Sequence, residues 1–186
     1  MTSNYYNIDE LNSLGLKSFG KNVMISKRCS IYGADNIEIA NNVRIDDFCI
    51  LSGNISIGNY VHISAYSALY GRYGIVIGDF CGISPRCTLF SASDDFSGEY
   101  MISPMVPNNL THLQKGKIVL NNYCQIGANS IVMPSVTLGE GSVCGAFSFV
   151  NQNLSPWTIN IGVPCHFFKI RHQKAKELSE ILLKGI

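Results

Sequence analysis

Residues 39–69 read IANNVR-IDDFCI-LSGNIS-IGNYVH-ISAYSA-L, an aliphatic residue returning at every sixth position. Two extra residues follow, and Ile77 restarts the count with IGDFCG, ISPRCT and Leu89. Beyond residue 119 the same word resumes as LNNYCQ, IGANSI, VMPSVT, LGEGSV, CGAFSF and Val150. Backwards, Ile31 and Ile25 extend the frame, again with two extra residues between Ile31 and Ile39. Sixteen of the seventeen word starts are Ile, Leu or Val, although those types make up only 47 of 186 residues. The fifth place is small or β-branched, as at Cys29, Cys49, Val61, Ser67, Cys81, Cys87, Cys124 and Ser130. The second place is often Gly (Gly58, Gly78, Gly127, Gly139, Gly145).

A helix would space its apolar residues by three and four, and a half-buried strand by two. Six fits one short strand plus one tight corner, with the aliphatic pointing inward. Three such words close a triangular coil, and stacked coils bury one continuous core, as solenoids do. A β-sandwich would not hold the spacing through 39–69. The fold class is therefore an all-β parallel solenoid of nearly six coils, with a long looped-out insertion at 90–117. The expected divisions are a cap over 1–18 with a helix at 9–16, a β-helix over 19–155, and a tail over 156–186. Residues 169–184 read as an amphipathic helix with Leu178, Ile181 and Leu182 on one face.

Composition excludes several classes. Apolar residues make up 46% and charged residues 15%, which argues against disorder. A net charge of +1 gives no general attraction to nucleic acid or anionic membrane. No apolar run reaches bilayer length, and MTSNYYNIDE has neither a basic nor an apolar leader region. Seven cysteines, five of them at the inner fifth place, read as core fillers in a cytoplasmic protein rather than a disulfide framework.

The repeat resembles that of the hexapeptide-repeat acyltransferases, whose fold is a left-handed parallel β-helix. Within them the galactoside and maltose O-acetyltransferases, and the acetyltransferases of lipopolysaccharide, O-antigen and capsule synthesis, are the most similar. Three features carry the finer likeness: the insertion beginning FSASDDFSGEYM, the words resuming at IVLNNYCQIGANS, and the tail IGVPCHFFKIR over 161–171. The resemblance implies acetyl transfer from acetyl-CoA to a sugar hydroxyl by a homotrimer with sites between subunits, and no metal. N-acetylation of a nucleotide-linked amino sugar is the alternative. A non-catalytic scaffold or ice-binding surface would show a flat row of outward Thr, which is absent. A zinc hydratase on this fold would need three ligating His on adjacent coils, and only His62 lies in one.

Acyl transfer needs a positioned acceptor, a base and donors to the developing oxyanion. In maltose-type relatives the catalytic His lies in the insertion, in a stretch like Y-T-A-T-H-P. The aligned place here is Asp94. Either Asp94 is the base or holds the acceptor, or a His from elsewhere serves. His62, sixth in the word IGNYVH and so directed outward, is the leading His; an exposed or interface histidine is the plain alternative. Asp95, Glu99, Tyr100 and His112 in the insertion are candidates to bind the sugar, set against solvated turn and loop residues. For acetyl-CoA the resemblance nominates Gln125, Gly127, Ala128, Gly145 and Ala146 beside the pantetheine arm. His166, Lys169 and Arg171 would meet its phosphates. Outward Tyr60, Tyr66 and Phe80 are candidate subunit contacts. Light scattering checks the assembly: the expected mass is near three times 20.4 kDa, and a monomer contradicts a site shared between subunits.

Overall fold

Inward aliphatics and short strands give the chain three parallel faces. The computed structural model describes residues 4–185. One face stacks Val23–Ile25, Val43–Ile45, His62–Ile63, Gly82–Ile83, Gln125–Ile126, Val143–Cys144 and Thr158–Ile161. These are seven strands, one coil more than the word count, because Thr158–Ile161 adds a coil without the six-residue spelling. The other two faces share one sheet, since Ile50–Ile57 and Ala68–Ile77 each run round a corner from one face to the next.

Register places like on like. Ile25, Ile45, Ile63, Ile83, Ile126 and Cys144 pair in series, and so do Leu51, Leu69, Leu89, Val132 and Val150. Ile39, Ile57, Ile77, Leu120 and Leu138 form the third stack. Nearly all are fully buried. At about 25 cal/mol per Å² of apolar surface, these stacks supply the main stabilisation of the coil.

Two places in the word make the corners. The fourth place is left-handed: φ is 60° at Phe48, 57° at Tyr60, 63° at Tyr66, 58° at Phe80, 59° at Arg86 and 64° at Tyr123. For bulky residues this costs about 1–2 kcal/mol each. The side chains that incur the cost stack outside. Tyr60, Phe80, Tyr123 and Trp157 form one column, with centroids 4.9, 5.3 and 5.8 Å apart. Phe48 and Tyr66 stack at 5.0 Å on another corner. Tyr60 and Phe80, nominated as subunit contacts, are thus held within the chain, while Tyr66 is more exposed.

The fifth place turns inward and donates. The thiols of Cys49, Cys81, Cys87 and Cys124 reach the carbonyls of Ser64, Asn121, Gly127 and Gly139 at 3.1–3.2 Å. Ser67 and Ser130 use their hydroxyls in the same way, on Ser84 and Gly145. Ser and Cys recur there because the corner wants a small donor, not merely a small hydrophobe. All seven cysteines are free thiols. Burial pushes Cys144 up to about 12.

Gly at the second place answers to coil-on-coil approach rather than to a turn. A Cβ on Gly58 would sit 2.8 Å from the Gly78 carbonyl carbon and 2.9 Å from the Asp79 nitrogen.

The ends differ from the sequence expectation. The N-terminal helix α1 is Ile8–Ser13, closed by an Asn7–Glu10 capping box. The expected helix over 169–184 begins later. His166–Ile170 is instead a strand that folds back antiparallel on Thr158–Ile161 and covers the edge of that face. Only Lys174–Lys184, α2, is helical. Its Leu178, Ile181 and Leu182 are exposed, and the side chain it buries is Ser179, bonded to the Tyr123 hydroxyl at 2.8 Å. The aromatic column had already taken the apolar contacts at that corner, so a polar tether remains. No helix among the described residues is long and apolar enough to cross a membrane.

Gly58→Ala is expected to lower the unfolding free energy by about 1–3 kcal/mol, the cost of forcing atoms into a packed interior. Thermal or urea denaturation with unchanged far-UV dichroism measures it.

Candidate functional site

The insertion leaves the solenoid after Phe90 as a two-stranded antiparallel ribbon. Ala92–Asp94 pairs with Leu113–Lys115, with Ala92 opposite Lys115 and Asp94 opposite Leu113. Ribbon and solenoid face enclose a groove of about 570 Å³. Phe90, Ile131, Met133 and Phe149 form its floor, Phe96 and Leu113 its ribbon wall. Asp94 is the one carboxylate among the lining residues, and Arg72 the one cation. Asp94 is half-buried.

The other insertion candidates separate from it. The Asp95 carboxylate accepts the Ser97 amide at 2.7 Å, and that backbone bond first of all holds it below the usual carboxylate range. Asp95 is therefore a turn former and not a groove residue. Tyr100 and His112 rest ring against ring at 5.1 Å on the outer part of the ribbon, and Glu99 lies in an exposed bend. None of the four lines the groove.

His62 projects from a different face, in the outward row Arg44–His62–Gly82–Gln125. Its Nε2 donates to Asp46 Oδ2 at 2.7 Å, which leaves Nδ1 as the nitrogen able to accept. Asp46 also takes Arg44 Nε at 2.7 Å. Burial pushes the Asp46 carboxyl up, but His62 and Arg44 together hold it below its ordinary value. Within one chain, His62 and Asp94 line no common cavity.

Gly82 leaves a gap above His62, and the Gln125 amide fills part of it by donating to Ser84 Oγ at 3.0 Å. Ser84 thus stands half-buried at the corner between the His62 face and the groove face. Sequence reasoning missed it. Its only signal was a hydroxyl at a second place where Gly is common.

The residues nominated for acetyl-CoA fall into two groups. The Gly127 and Gly145 amides are consumed by the coil ladder, bonding Cys144 and Asn160 carbonyls at 2.8 Å each. The Ala128 and Ala146 amides stand outside that ladder. Arg171 donates to the carbonyls of Tyr123 and Gly141 at 2.6 and 2.9 Å and lies over Trp157. It fastens the tail rather than offering a free cation, because the hairpin end needs those carbonyls satisfied. His166 and Lys169 are exposed on the hairpin. Among the described residues, no three His, Cys, Asp or Glu side chains group to hold a metal.

No family model matches the chain. The chain is 41% identical over 175 residues, 92% of its length and 91% of the relative's, to dTDP-4-amino-4,6-dideoxy-D-glucose acyltransferase of Escherichia coli. It also resembles AntD, an N-acyltransferase from Bacillus cereus. One AntD complex, with dTDP and 3-hydroxybutyryl-CoA, superposes with a TM-score of 0.97 at 47% identity, covering 99% of this chain and 98% of that one. A second, of an AntD variant with cysteine in place of serine 84, with dTDP-4-amino-4,6-dideoxyglucose and coenzyme A, gives 0.98 at 46% identity over the whole of both chains. AntD has also been solved with its serine 84 or aspartate 94 replaced, and this chain carries Ser84 and Asp94 at those numbers.

The depressed Asp46 carboxyl adds stability above its unfolded pKa of about 3.9, and that contribution is lost as pH falls through its lower folded value. Asp46→Asn is therefore expected to be less stable than wild type at pH 7, with the gap closing below about pH 4. Urea melts across that range measure it.

Proposed function

This chain belongs to the hexapeptide-repeat sugar acyltransferases and is an acyl-CoA-dependent enzyme, and from that membership we propose that it N-acylates an amino sugar carried on dTDP. The observation that carries this reading is the lone carboxylate, Asp94, among the groove's lining residues, at the place where the resemblance to maltose-type enzymes implies a histidine. A carboxylate is a weak base toward a sugar hydroxyl. It suits an amine. It attracts the ammonium form, and it can take a proton from nitrogen once the nitrogen has added to a carbonyl and become acidic. Of the two acceptors weighed from the sequence, the amino sugar on a nucleotide thus has better support than the hydroxyl. The substrates named for the Escherichia coli and Bacillus cereus relatives support it as well.

In this reading the free amine attacks the thioester carbonyl carbon, and a C–N bond forms. Asp94 removes the surplus proton from nitrogen. The tetrahedral centre collapses with cleavage of the C–S bond, and the departing thiolate takes up the proton. Ser84, held by Gln125, supplies a hydroxyl to the reacting centre. The amides of Ala128 and Ala146 and the side chains of His166 and Lys169 are the groups this chain offers to the coenzyme. The donor is acetyl-CoA or a short homologue, a reading supported by the AntD complex with 3-hydroxybutyryl-CoA. The protein works as a homotrimer in the cytoplasm, where its nucleotide substrates are made, and serves glycan assembly of the lipopolysaccharide or capsule type. His62, on the face next to Ser84, contributes to a site completed by a neighbouring subunit.

Release of coenzyme A thiol in the presence of dTDP-4-amino-4,6-dideoxyglucose tests the reaction. Turnover with that acceptor and none with maltose or galactosides is expected; the reverse preference restores the O-acetylating reading. Asp94→Ala and His62→Ala are each expected to lose at least about tenfold in kcat. If both retain it, neither is the base.

A further inference from the structure

We propose that Arg72 and Lys115 form the diphosphate-binding end of the Asp94 groove, so that the enzyme reads its acceptor as a nucleotide-linked amino sugar and not as a free one. This rests on the N-acylation reading above and adds to it the residues that select the substrate class.

Most of the arginines are committed elsewhere. Arg28 pairs with Asp47 at 2.8 Å, Arg44 with Asp46 at 2.7 Å, and Arg171 with two carbonyls. Arg86 lies over Tyr66 at an outer corner. Arg72 lines the groove, and among the described residues it has no carboxylate partner. Lys115 has none either. Both converge on one ring: the Arg72 guanidinium is 5.6 Å and the Lys115 ammonium 5.5 Å from the Tyr73 centroid. Tyr73 is itself anchored, its amide donating to Ser91 Oγ at 2.9 Å, and Ser91 is fully buried. Two cations at one ring, neither with a carboxylate partner among the described residues, leave their charge available to an anion. Arginine fits a phosphate bidentately, and lysine meets it as a point charge.

The placement of the charges suits the ligand. Lys115 lies directly opposite Ala92, and Ala92 and Asp94 both line the groove. Two residues along an extended strand are about 6.6 Å apart. The ribbon therefore carries Asp94 and, two residues back along it and across from Ala92, Lys115, while Arg72 lines the same groove. An amino sugar on a nucleoside diphosphate has the complementary layout. In a 4-amino sugar the ammonium and the anomeric phosphate stand at opposite ends of one ring, and the ring carbons between them can face apolar surface. A free amino sugar offers nothing to the cations.

Titration calorimetry on the full chain with dTDP and with thymidine, together with steady-state kinetics, tests the assignment. Arg72→Ala is expected to weaken dTDP binding by about ten- to a hundredfold, the usual loss for a charged hydrogen bond. It should raise the KM for dTDP-4-amino-4,6-dideoxyglucose in step, and leave both the acetyl-CoA KM and thymidine binding unchanged. Arg72→Lys should recover part of the loss, and Lys115→Ala should show a smaller one. Unchanged dTDP affinity in Arg72→Ala, in a wild type that does bind dTDP, overturns this assignment alone. A fall in thymidine binding equal to that for dTDP also overturns it, because the groove has then changed shape instead of losing a charge. A wild type that neither binds dTDP nor acylates the amino sugar overturns the parent reading, and this one with it.

Discussion

The aliphatic at the start of each six-residue word must land on its counterpart one coil away, and every other feature of the molecule serves that alignment. Inter-coil hydrogen bonds fix the height, and the inward stacks fill the interior. Such a register tolerates no drift, since one residue of slip would turn the buried row outward. The corners must therefore repeat in shape. This explains the left-handed fourth place, the inward donor at the fifth and the bare backbone at Gly58.

The same rigidity sets out the chemistry. The groove exists only because one coil is interrupted after Phe90 and a ribbon stands off the face. The floor of the groove comes from coils on both sides of the interruption, as Phe90, Ile131 and Phe149 show. Cutting the chain in the middle of the frame keeps the walls of the site stiff while the ribbon carries Asp94. Rigid elements around a loop-borne functional group are a common division of labour.

Most of the frame was legible in the sequence, because a strict period reports directly on a strict geometry. The site was less so. Asp94 stood out through its place in the resemblance. Asp95, beside it, was a candidate to bind the sugar, and the Ser97 amide at its carboxylate and its place outside the groove lining set it apart. Arg171 read as a free cation until its two carbonyl partners appeared. Ser84 and Arg72 gave almost no signal, since a hydroxyl or a guanidinium in a repeat looks like any other outward residue. The tail misled because HFFKI is a strand former placed just before a helical pattern, and periodicity alone did not show where one ended.

By itself, then, the sequence determined the coil, its three inward stacks, the position of the interruption and the family of chemistry. These depend on local spacing and residue type, which a chain states openly. The tertiary structure decided which polar groups are spent and which are free. Asp46 with His62, Arg171 with the coil carbonyls of Tyr123 and Gly141, and Arg72 with Lys115 around one tyrosine ring are all meetings of residues 16 to 48 positions apart, brought together by the stacking of coils and the folding of the ribbon. Charge that is neutralised builds the molecule, and charge left open in a groove is what a substrate can use; spacing along the chain does not distinguish them.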